Sequence, residues 1–429
     1  MKRVNMVTLG CSKNLVDSER IALQFKQAGY EVMFDANAAS ELVIINTCGF
    51  ILDAKQESLD MIFEFVEAKQ RGEIEKIAVV GCLSERYKEE LPKELPEVDI
   101  WHGTYDYEML LDKLQVPVAK NYHNNRMVAA EYKHFAYLKV ADGCNRACSY
   151  CAIPLIKGKL QSIEIPVLVE EAKALARQGV KELILIAQDL SDYGTDLSQP
   201  DALYTLLQEL EKVDGIEWIR LHYAYPTNFP TEVISLIRDS KKICKYLDVP
   251  VQHIATSVLK EMRRGHTAET TREFLKRLRE EVPGIAIRTT VLVGFPGETE
   301  EDFSALLDFI KEFRFDRLGV FPYSEEEGTY AANHLNDEIP EAVKQLRARE
   351  VMEVQEVISL EINEAKIGTT ERVLIDRQQG TYFVARSQFD SPEVDNEIYI
   401  PADDEYAPGD FVNVRITGAT AFDLQAEYC

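Results

Sequence analysis

The most informative segment of the sequence reads Cys144-Asn145-Arg146-Ala147-Cys148-Ser149-Tyr150-Cys151. It comes shortly after an apolar run, Phe135–Val140, that predicts a β-strand. Three thiolates on one tight loop can hold three irons of a [4Fe-4S] cubane and leave the fourth iron open. The spacing therefore predicts an iron–sulfur cluster with one open coordination position.

Two alternatives stay open for this loop, namely a zinc site and cysteines that bind no metal. A structural zinc ion takes four ligands, and the loop contains no fourth Cys or His, since His134 precedes the strand. Eight cysteines in a long intracellular chain serve better as metal ligands than as disulfides. The cluster is therefore favoured, and we interpret Cys244 as a packing residue and Cys429 as a free thiol.

Six apolar runs in the central part of the chain predict strands that alternate with helical patterns. The runs are Phe135–Val140, Leu183–Ala187, Trp218–Tyr223, Tyr246–Val251, Ile285–Leu292 and Leu318–Tyr323. A long charged helix is predicted at about Pro340 to Ala365. Six such units predict a partial (βα)6 barrel, short of the eight units of a closed TIM-like barrel.

The N-terminal part also alternates strands and helices, which predicts a doubly wound parallel α/β sheet. Its strand candidates are Val4–Leu9, Leu42–Ile45, Ile77–Val80 and Val98–Trp101. Cys11, Cys48 and Cys82 each follow one of these strands by one to three residues. One such cysteine would be a buried packing residue by default. Because parallel strands end at one edge of a sheet, three of them predict a second cluster.

The C-terminal part contains short β runs separated by Gly, Asp and Pro turns, which predicts a small antiparallel barrel. These runs are Arg372–Asp376, Tyr382–Ser387, Glu397–Ile400, Phe411–Ile416 and Phe422–Glu427. The sequence thus predicts three domains, at 1–131, 132–364 and 365–429.

The chain of 429 residues has a net charge of −25, with 48 basic and 73 acidic residues. Such a chain repels the phosphate backbone, so no stable nucleic-acid binding is expected and a basic protein partner fits better. No apolar run approaches the length of a membrane span, which predicts a cytoplasmic protein.

The three-cysteine loop, with the aromatic Tyr150 before its last cysteine, resembles the signature of the radical S-adenosylmethionine (SAM) superfamily. This resemblance implies that SAM binds the open iron and yields a deoxyadenosyl radical. The implied SAM contacts lie at strand ends and in a glycine turn, where they could also be ordinary loop residues. They are Tyr150, Gln188, Asp189, Gln252, Gly294 and Gly297. No catalytic residue is predicted beyond the cluster ligands, and no histidine is assigned a catalytic role.

Both cysteine triads together resemble the methylthiotransferase family, whose members combine an N-terminal cluster domain, a radical SAM barrel and a C-terminal TRAM barrel. The resemblance covers the whole chain in the same order. It implies two [4Fe-4S] clusters, with SAM as both methyl and radical source, and an electron donor such as flavodoxin or ferredoxin. By this resemblance the metal ligands are Cys11, Cys48 and Cys82 for one cluster and Cys144, Cys148 and Cys151 for the other.

The segment Leu9–Glu19 and the segment Ala187-Gln188-Asp189 resemble the branch of the family that modifies an aspartate of ribosomal protein S12. Residues 361–429 carry five basic and fourteen acidic residues, or 5 − 14 = −9, which favours a basic protein over RNA. One departure is Ile163, where relatives usually carry arginine. The rival functions are adenosine methylthiolation in tRNA and a non-catalytic iron–sulfur scaffold or electron carrier.

Overall fold

The computed structural model describes residues 2–36, 40–118, 124–129, 133–199, 201–403 and 405–429. Three larger β-sheets follow one another along the chain: a five-stranded sheet, a six-stranded sheet and a closed barrel. The predicted boundary between residues 131 and 132 lies outside the described residues.

The N-terminal sheet is parallel throughout and has the order β2-β1-β3-β4-β5. Its strands are β1 (Arg3–Thr8), β2 (Glu31–Phe34), β3 (Ser40–Thr47), β4 (Ile74–Gly81) and β5 (Ile100–Trp101). Its helices are α1 (Ser12–Gln27), α2 (Leu52–Gln70), α3 (Cys82–Arg86), α4 (Leu91–Glu94) and α5 (Tyr107–Lys113). The sequence missed β2, an edge strand whose four residues are only half-buried or exposed and which lacks a long apolar run.

The central sheet contains six parallel strands in the order β13-β12-β11-β10-β9-β6, as predicted for a partial barrel. They are β6 (Phe135–Lys139), β9 (Glu182–Ile186), β10 (Trp218–Leu221), β11 (Ile243–Asp248), β12 (Ala286–Val293) and β13 (Arg317–Pro322). A small ribbon pairs β7 (Ala141–Asp142) with β8 (Gln161–Ser162).

Nine α-helices accompany these strands in the described part of the chain. They are α6 (Ile153–Lys157), α7 (Ile165–Arg177), α8 (Ala202–Glu211), α9 (Thr231–Asp239), α10 (Thr256–Glu261), α11 (Ala268–Glu281), α12 (Glu300–Phe313), α13 (Tyr330–His334) and α14 (Glu341–Glu364). The largest hydrophobic core lies between the outer face of the strands and this layer of helices.

The C-terminal strands close a barrel in the order β14-β15-β16-β18-β17. They are β14 (Thr370–Gln379), β15 (Tyr382–Ser387), β16 (Glu397–Pro401), β17 (Phe411–Ala419) and β18 (Asp423–Tyr428). Four of the described pairings are antiparallel, including β14–β17, which closes the barrel, and the pair β16–β18 is parallel. Closure leaves no free edge strand in this small unit.

The inner face of the six-stranded sheet carries charged side chains that the outer helices cannot reach. The loop between β15 and β16 covers the N-terminal ends of these strands and pairs with the charges. Asp390 accepts from Arg317 Nε at 3.0 Å, and both side chains are at most 5% exposed. Asp395 accepts from the Tyr246 hydroxyl at 2.8 Å and lies 3.4 Å from Arg288. The C-terminal barrel is therefore fixed to the central sheet through buried ion pairs.

Replacing Asp390 by Asn leaves the buried guanidinium of Arg317 without its counter-charge. Breaking a buried ion pair costs about 3–5 kcal/mol, so we expect a loss of this size in the free energy of unfolding. The control is Glu361→Gln, which breaks an exposed pair with Arg314 whose side chains are 54% and 46% exposed. We expect the control to change stability by less than about 1 kcal/mol in urea denaturation. Equal effects of the two variants would contradict the inward orientation of Asp390.

Candidate iron–sulfur and SAM site

Cys144, Cys148 and Cys151 lie on the loop between β7 and α6, just beyond the first strand of the central sheet. Backbone hydrogen bonds shape this loop: Cys144 N donates to Gly158 O at 3.1 Å, and Cys151 N donates to Cys148 O at 3.2 Å. The three side chains are half-buried. The structure therefore gathers the three predicted ligands on one compact turn at the mouth of the barrel.

Cys11, Cys48 and Cys82 follow β1, β3 and β4, which are neighbours in the N-terminal sheet. Two contacts show how closely their loops approach. A Cβ placed on Gly10 would lie 2.6 Å from Cys48 Cβ. Cys82 Sγ lies 3.8 Å from Oδ1 of Asn14, one helical turn after Cys11. The strand ends thus bring the loops that carry the three cysteines close to one another, and a shared metal site for the three thiols stays a prediction.

Four of the thiols have raised pKa values because they are buried: Cys48 and Cys82 in the N-terminal group, and Cys144 and Cys151 in the loop after β7. Burial raises the pKa of Cys82 and of Cys151 to about 12 and that of Cys144 to about 11. Burial also raises the pKa of Cys48. Metal ligands must be thiolates, so binding of iron has to displace protons from these side chains.

The two cysteine groups meet through the short helix α6. Cys82 packs with Ala152 and Ile156, and Ala152 directly follows Cys151 in the chain. Phe50, two residues after Cys48, packs against the same cluster. The N-terminal sheet edge and the mouth of the barrel therefore form one continuous site, which the separate sequence motifs could not reveal.

A buried group of two carboxylates and two ammonium groups lies beside this junction. Lys139, the last residue of β6, donates to Asp17 of α1 and to Asp142 Oδ2 at 2.8 Å. Lys157, at the end of α6, lies 3.5 Å from Asp142 Oδ1 and 3.8 Å from Asp17 Oδ2. Gln188 Nε2 donates to Asp142 Oδ1 at 3.2 Å. These bonds fix the N-terminal sheet to the barrel at the site.

Asp189 lies beside the three-cysteine loop, as its predicted role in binding SAM requires. Arg146 Nε donates to its Oδ2 at 2.7 Å, and the backbone N–H of Arg146 donates to Cys144 Sγ at 3.4 Å. The neighbouring Gln188 leaves its Oε1 buried without a hydrogen bond among the described residues. That oxygen is an available acceptor next to the cysteine loop.

Tyr150 and the glycine turn also lie together, because the ring of Tyr150 packs edge-on against Phe295 with centroids 6.3 Å apart. Position 294 requires glycine for structural reasons, because its φ is +71° and a Cβ there would lie 2.4 Å from the Lys344 side chain. Gly297 also has positive φ, and a Cβ there would meet open space. The SAM contacts of these residues stay predictions.

Gln252 and Ile163 occupy the same end of the barrel. Gln252 adopts a left-handed backbone with φ of +67°, which is rare for a non-glycine residue and often marks a functional loop. Its neighbour Pro250 accepts a hydrogen bond from Arg264, which contacts the cysteine loop. Ile163 packs against the main hydrophobic core, so its side chain has an apolar packing role.

Two arginines near the cluster loop were missed in the sequence. Arg264 Nη1 donates to Cys148 Sγ at 3.5 Å, and Arg146 contacts Asp189. Their guanidinium groups lie 4.2 and 4.1 Å from the ring centre of Tyr225, which they share. The signal was weak: Arg146 stands inside the cysteine motif, but Arg264 comes more than one hundred residues later and no spacing rule connects the two.

The part of the chain that the structure describes contains neither a preformed metal site nor a membrane-spanning helix. Among them, no three His, Cys, Asp or Glu side chains are placed to hold a metal ion. Within the same ranges, no helix is both long and apolar enough to cross a bilayer.

Three family models match the chain in order. They are the Uncharacterized protein family UPF0004 over residues 3–103, the Radical SAM superfamily over 138–310 and the TRAM domain over 367–429. Ribosomal protein uS12 methylthiotransferase RimO of Flavobacterium johnsoniae is 51% identical over 428 residues, covering 99% of this chain and 98% of the relative. The chain belongs to the RimO family of ribosomal protein uS12 methylthiotransferases. The family member of Bacteroides thetaiotaomicron is 48% identical, covering 99% and 98% of the two chains.

Solved structures of radical SAM enzymes share the fold. TsrM of Kitasatospora setae, a radical S-adenosylmethionine methyltransferase with cobalamin and a [4Fe-4S] cluster bound, matches with a TM-score of 0.58 and 16% identity, covering 77% of each chain. OxsB, a cobalamin-dependent S-adenosylmethionine radical enzyme, matches with a TM-score of 0.54 and 13% identity, covering 83% of this chain and 56% of its own. These matches, the family and the sheet topology confirm the predicted fold class and membership of the methylthiotransferase family.

The contact between Gly10 and Cys48 leads to a test with a matched control. Gly10→Ala places a Cβ against Cys48 at a positive φ of +88°, so the two loops have to separate. We expect this variant to bind less iron per chain after anaerobic reconstitution. Gly29→Ala has nearly the same φ, +86°, but its Cβ meets open space, so it should retain the iron of the unmodified chain. Full iron binding by Gly10→Ala would contradict the convergence of the N-terminal cysteines.

Proposed function

We propose that this chain transfers a methylthio group to the β-carbon of an aspartate in ribosomal protein S12, using two [4Fe-4S] clusters and SAM. The observation that carries the proposal is the contact between Cys82 and α6, because that helix starts at the other cysteine loop. A reaction that needs a radical source and a sulfur source requires both beside one substrate carbon. Membership of the RimO family supplies the substrate.

The proposed ligands are Cys144, Cys148 and Cys151 for the SAM-binding cluster and Cys11, Cys48 and Cys82 for the N-terminal cluster. When bound, SAM at the first cluster supplies a methyl group and a deoxyadenosyl radical, and the second cluster supplies the sulfur. The apolar contacts of Cys82 with Ala152, and of Tyr150 with Phe295, exclude water from the place where a radical would be quenched.

Further side chains of this chain hold the reacting groups in place. We propose that Gln188 and Asp189 contact SAM, since both lie beside the cysteine loop and one has a buried acceptor without a partner. Gln252, Gly294, Gly297 and Tyr150 are further proposed contacts, since Tyr150 packs against Phe295 of the glycine turn. Arg264 donates to Cys148 and fixes the orientation of that thiolate.

The three sheets support the proposed division into domains at 1–131, 132–364 and 365–429, with the second boundary at the end of α14. A cytoplasmic location and a flavodoxin or ferredoxin as electron donor belong to the same proposal. A low-potential donor is required because the SAM-binding cluster has to be reduced by one electron before SAM is cleaved.

Two acidic residues of the C-terminal segment are not available to a basic partner. Glu393 and Asp395 belong to the acidic set counted in the sequence, but Glu393 accepts from the Tyr137 hydroxyl at 3.0 Å and Asp395 is buried against Arg288. They hold the C-terminal barrel to the central sheet and are unsuited to a test of substrate binding. Asp403 and Glu405 are exposed and remain available to a basic partner.

Replacing each cysteine group by alanine tests the two-cluster assignment. The unmodified chain should bind about eight irons, and each triple variant about half of them. The variant of Cys144, Cys148 and Cys151 should form no deoxyadenosine from SAM, whereas that of Cys11, Cys48 and Cys82 should still cleave SAM. Iron analysis and chromatography of the products measure both effects. Absence of SAM cleavage by the unmodified chain under strong reductant would favour the electron-carrier rival instead.

Substrate choice is tested by offering ribosomal protein S12 and tRNA in parallel to the reconstituted enzyme. We expect the methylthio group on the protein alone, detected by mass spectrometry. Asp403→Lys combined with Glu405→Lys should weaken binding of the basic protein, most strongly at low salt where charges are least screened. The control pair Glu273→Lys and Glu280→Lys changes the net charge equally on the exposed face of α11. Modification of tRNA without the ribosomal protein would refute the proposed substrate.

A further inference from the structure

Lys13, the second residue of α1, is a buried cation without an anionic partner. The residue is 7% exposed, and among the described residues its ammonium group takes part in no hydrogen bond and no ion pair. Its Nζ lies 3.7 Å from the centre of the Tyr223 ring. An aromatic ring compensates only part of the hydration that a buried ammonium group loses, so this cation is ready to bind an anion.

The stability of α1 does not explain why a lysine stands at this position. The N-terminal end of a helix is the positive end of its dipole, and a cation there is unfavourable. The first turn of α1 contains no acidic residue that could offset the charge of Lys13. The charge therefore weakens the helix that carries it, which favours a role outside the helix.

The ring beneath Lys13 belongs to the mouth of the barrel. Tyr223 follows β10, and its carbonyl accepts a hydrogen bond from the backbone N–H of Leu190 at 3.0 Å. Leu190 directly follows Asp189, whose carboxylate is hydrogen-bonded to the three-cysteine loop. Lys13 itself comes two residues after Cys11. Lys13 therefore connects the N-terminal cysteine loop to the segment that carries proposed SAM contacts.

The backbone of Tyr223 is strained, since its φ of +61° is rare for an aromatic residue. Asp248 stabilises this conformation, because it accepts from the N–H of Tyr223 at 3.1 Å and pairs with Arg288 at 3.3 Å. The carboxylate of Asp248 thus bonds other groups, and Lys13 attracts it only from a longer distance. Strain of this kind is typical of residues whose orientation matters to a functional site.

Neighbouring cations already have anionic partners within the chain. Arg146 and Arg288 each pair with two carboxylates. Lys139 likewise pairs with two carboxylates. These three cations are therefore neutralised before a substrate arrives, in contrast to Lys13.

The inner face of the barrel stays open on the side of β12 and β13. Leu318 and Val320 pack against the outer core, so the alternation along β13 places Phe321 on the inner face. Phe321 is 55% exposed, and Leu292, its partner in the register, is half-buried. A segment of a protein substrate can therefore enter the barrel mouth from this side.

We propose that Lys13 binds the carboxylate of the substrate aspartate and thereby places the β-carbon of that aspartate beside the two cysteine groups. This rests on the function proposed above and assigns one of its substrate contacts. Clusters bound by thiolates carry negative charge, and they repel a carboxylate that approaches without a counter-charge. Because the carboxylate is bonded directly to the β-carbon, an ammonium group that holds the one also fixes the other.

The test offers the reconstituted full-length enzyme two forms of ribosomal protein S12 together, one with the target aspartate and one with asparagine in its place. The amide has nearly the shape of the carboxylate but no charge. Mass spectrometry measures the methylthio group on each form, and the ratio of products at equal concentrations gives the ratio of the two kcat/KM values. Since both forms meet the same preparation, this ratio does not depend on the fraction of enzyme that carries both clusters.

Three variants are compared with the unmodified enzyme. Lys13→Met removes the charge and keeps a flexible side chain of similar length, and Lys13→Arg keeps the charge. Lys26→Met is the matched control, because it removes a lysine from the last turn of the same helix, where the residue is exposed.

We expect the unmodified enzyme and Lys26→Met to prefer the aspartate form by the same factor. Lys13→Met should reduce this preference by about 10- to 100-fold, which is the contribution of a hydrogen bond between charged groups. Lys13→Arg should still prefer aspartate, because its charge remains. A structural role of Lys13 would lower the yield on both forms equally, and an unchanged preference in Lys13→Met would overturn the proposal. An unchanged preference with a raised KM for SAM would assign Lys13 to the carboxylate of SAM and would overturn it as well.

Loss of both products in Lys13→Met leaves the decision to Lys13→Arg. Recovery of product with a preference for aspartate supports the proposal. An arginine variant that is inactive on both forms, or active without preference, overturns it. Absence of the methylthio group from both forms after reaction with the unmodified enzyme would instead refute the proposed function itself.

Discussion

An open barrel of six parallel strands has an inner face that its own helices cannot cover, and the rest of the structure depends on how this face is filled. In this chain it carries the buried Arg220 and Arg317 and the partly buried Arg288, and each of these charges needs a partner. Backbone carbonyls and carboxylates of the loop between β15 and β16 meet them at one end of the strands. Helix α1 covers the face further along, where Val16 packs with the inward side chains of β6 and β9. The two flanking units are therefore structural parts of the barrel.

This arrangement explains why the two cysteine groups meet. Helix α1 follows Cys11 directly, so seating it against β6 brings the edge of the N-terminal sheet to the mouth of the barrel. Asp17 of that helix bonds Lys139, the last residue of β6, which fixes the approach along the strand direction. Cys82 then reaches the helix that follows Cys151. The same contacts that fill the barrel thus set the spacing between the two proposed clusters.

The sequence predicted what depends on local pattern and failed where partners come from distant segments. Strand positions followed from apolar runs, and the approach of the loops after β1, β3 and β4 followed from the rule that parallel strands end at one edge. The edge strand β2 was missed because it buries too little to show a pattern. Lys157, Arg264 and Asp17 were missed because a single charged residue normally indicates a solvated surface. Only the folded chain shows that these charges lie together at the site.

The net charge of the C-terminal segment is a second example, because a count of charges from the sequence does not show which of them have buried partners. A count of −9 treats every carboxylate as a source of long-range field, but a carboxylate buried against an arginine contributes little beyond its partner. Asp376 pairs with Arg386, and Asp390 with Arg317, inside the interface with the central sheet. Their function is to neutralise the inner face of the barrel. The acidic character available to a basic substrate is therefore smaller than the count and is concentrated on exposed residues such as Asp403 and Glu405. Docking of the substrate consequently depends on the exposed carboxylates, such as Asp403 and Glu405. The buried carboxylates act indirectly, because they hold in place the barrel that carries the exposed ones.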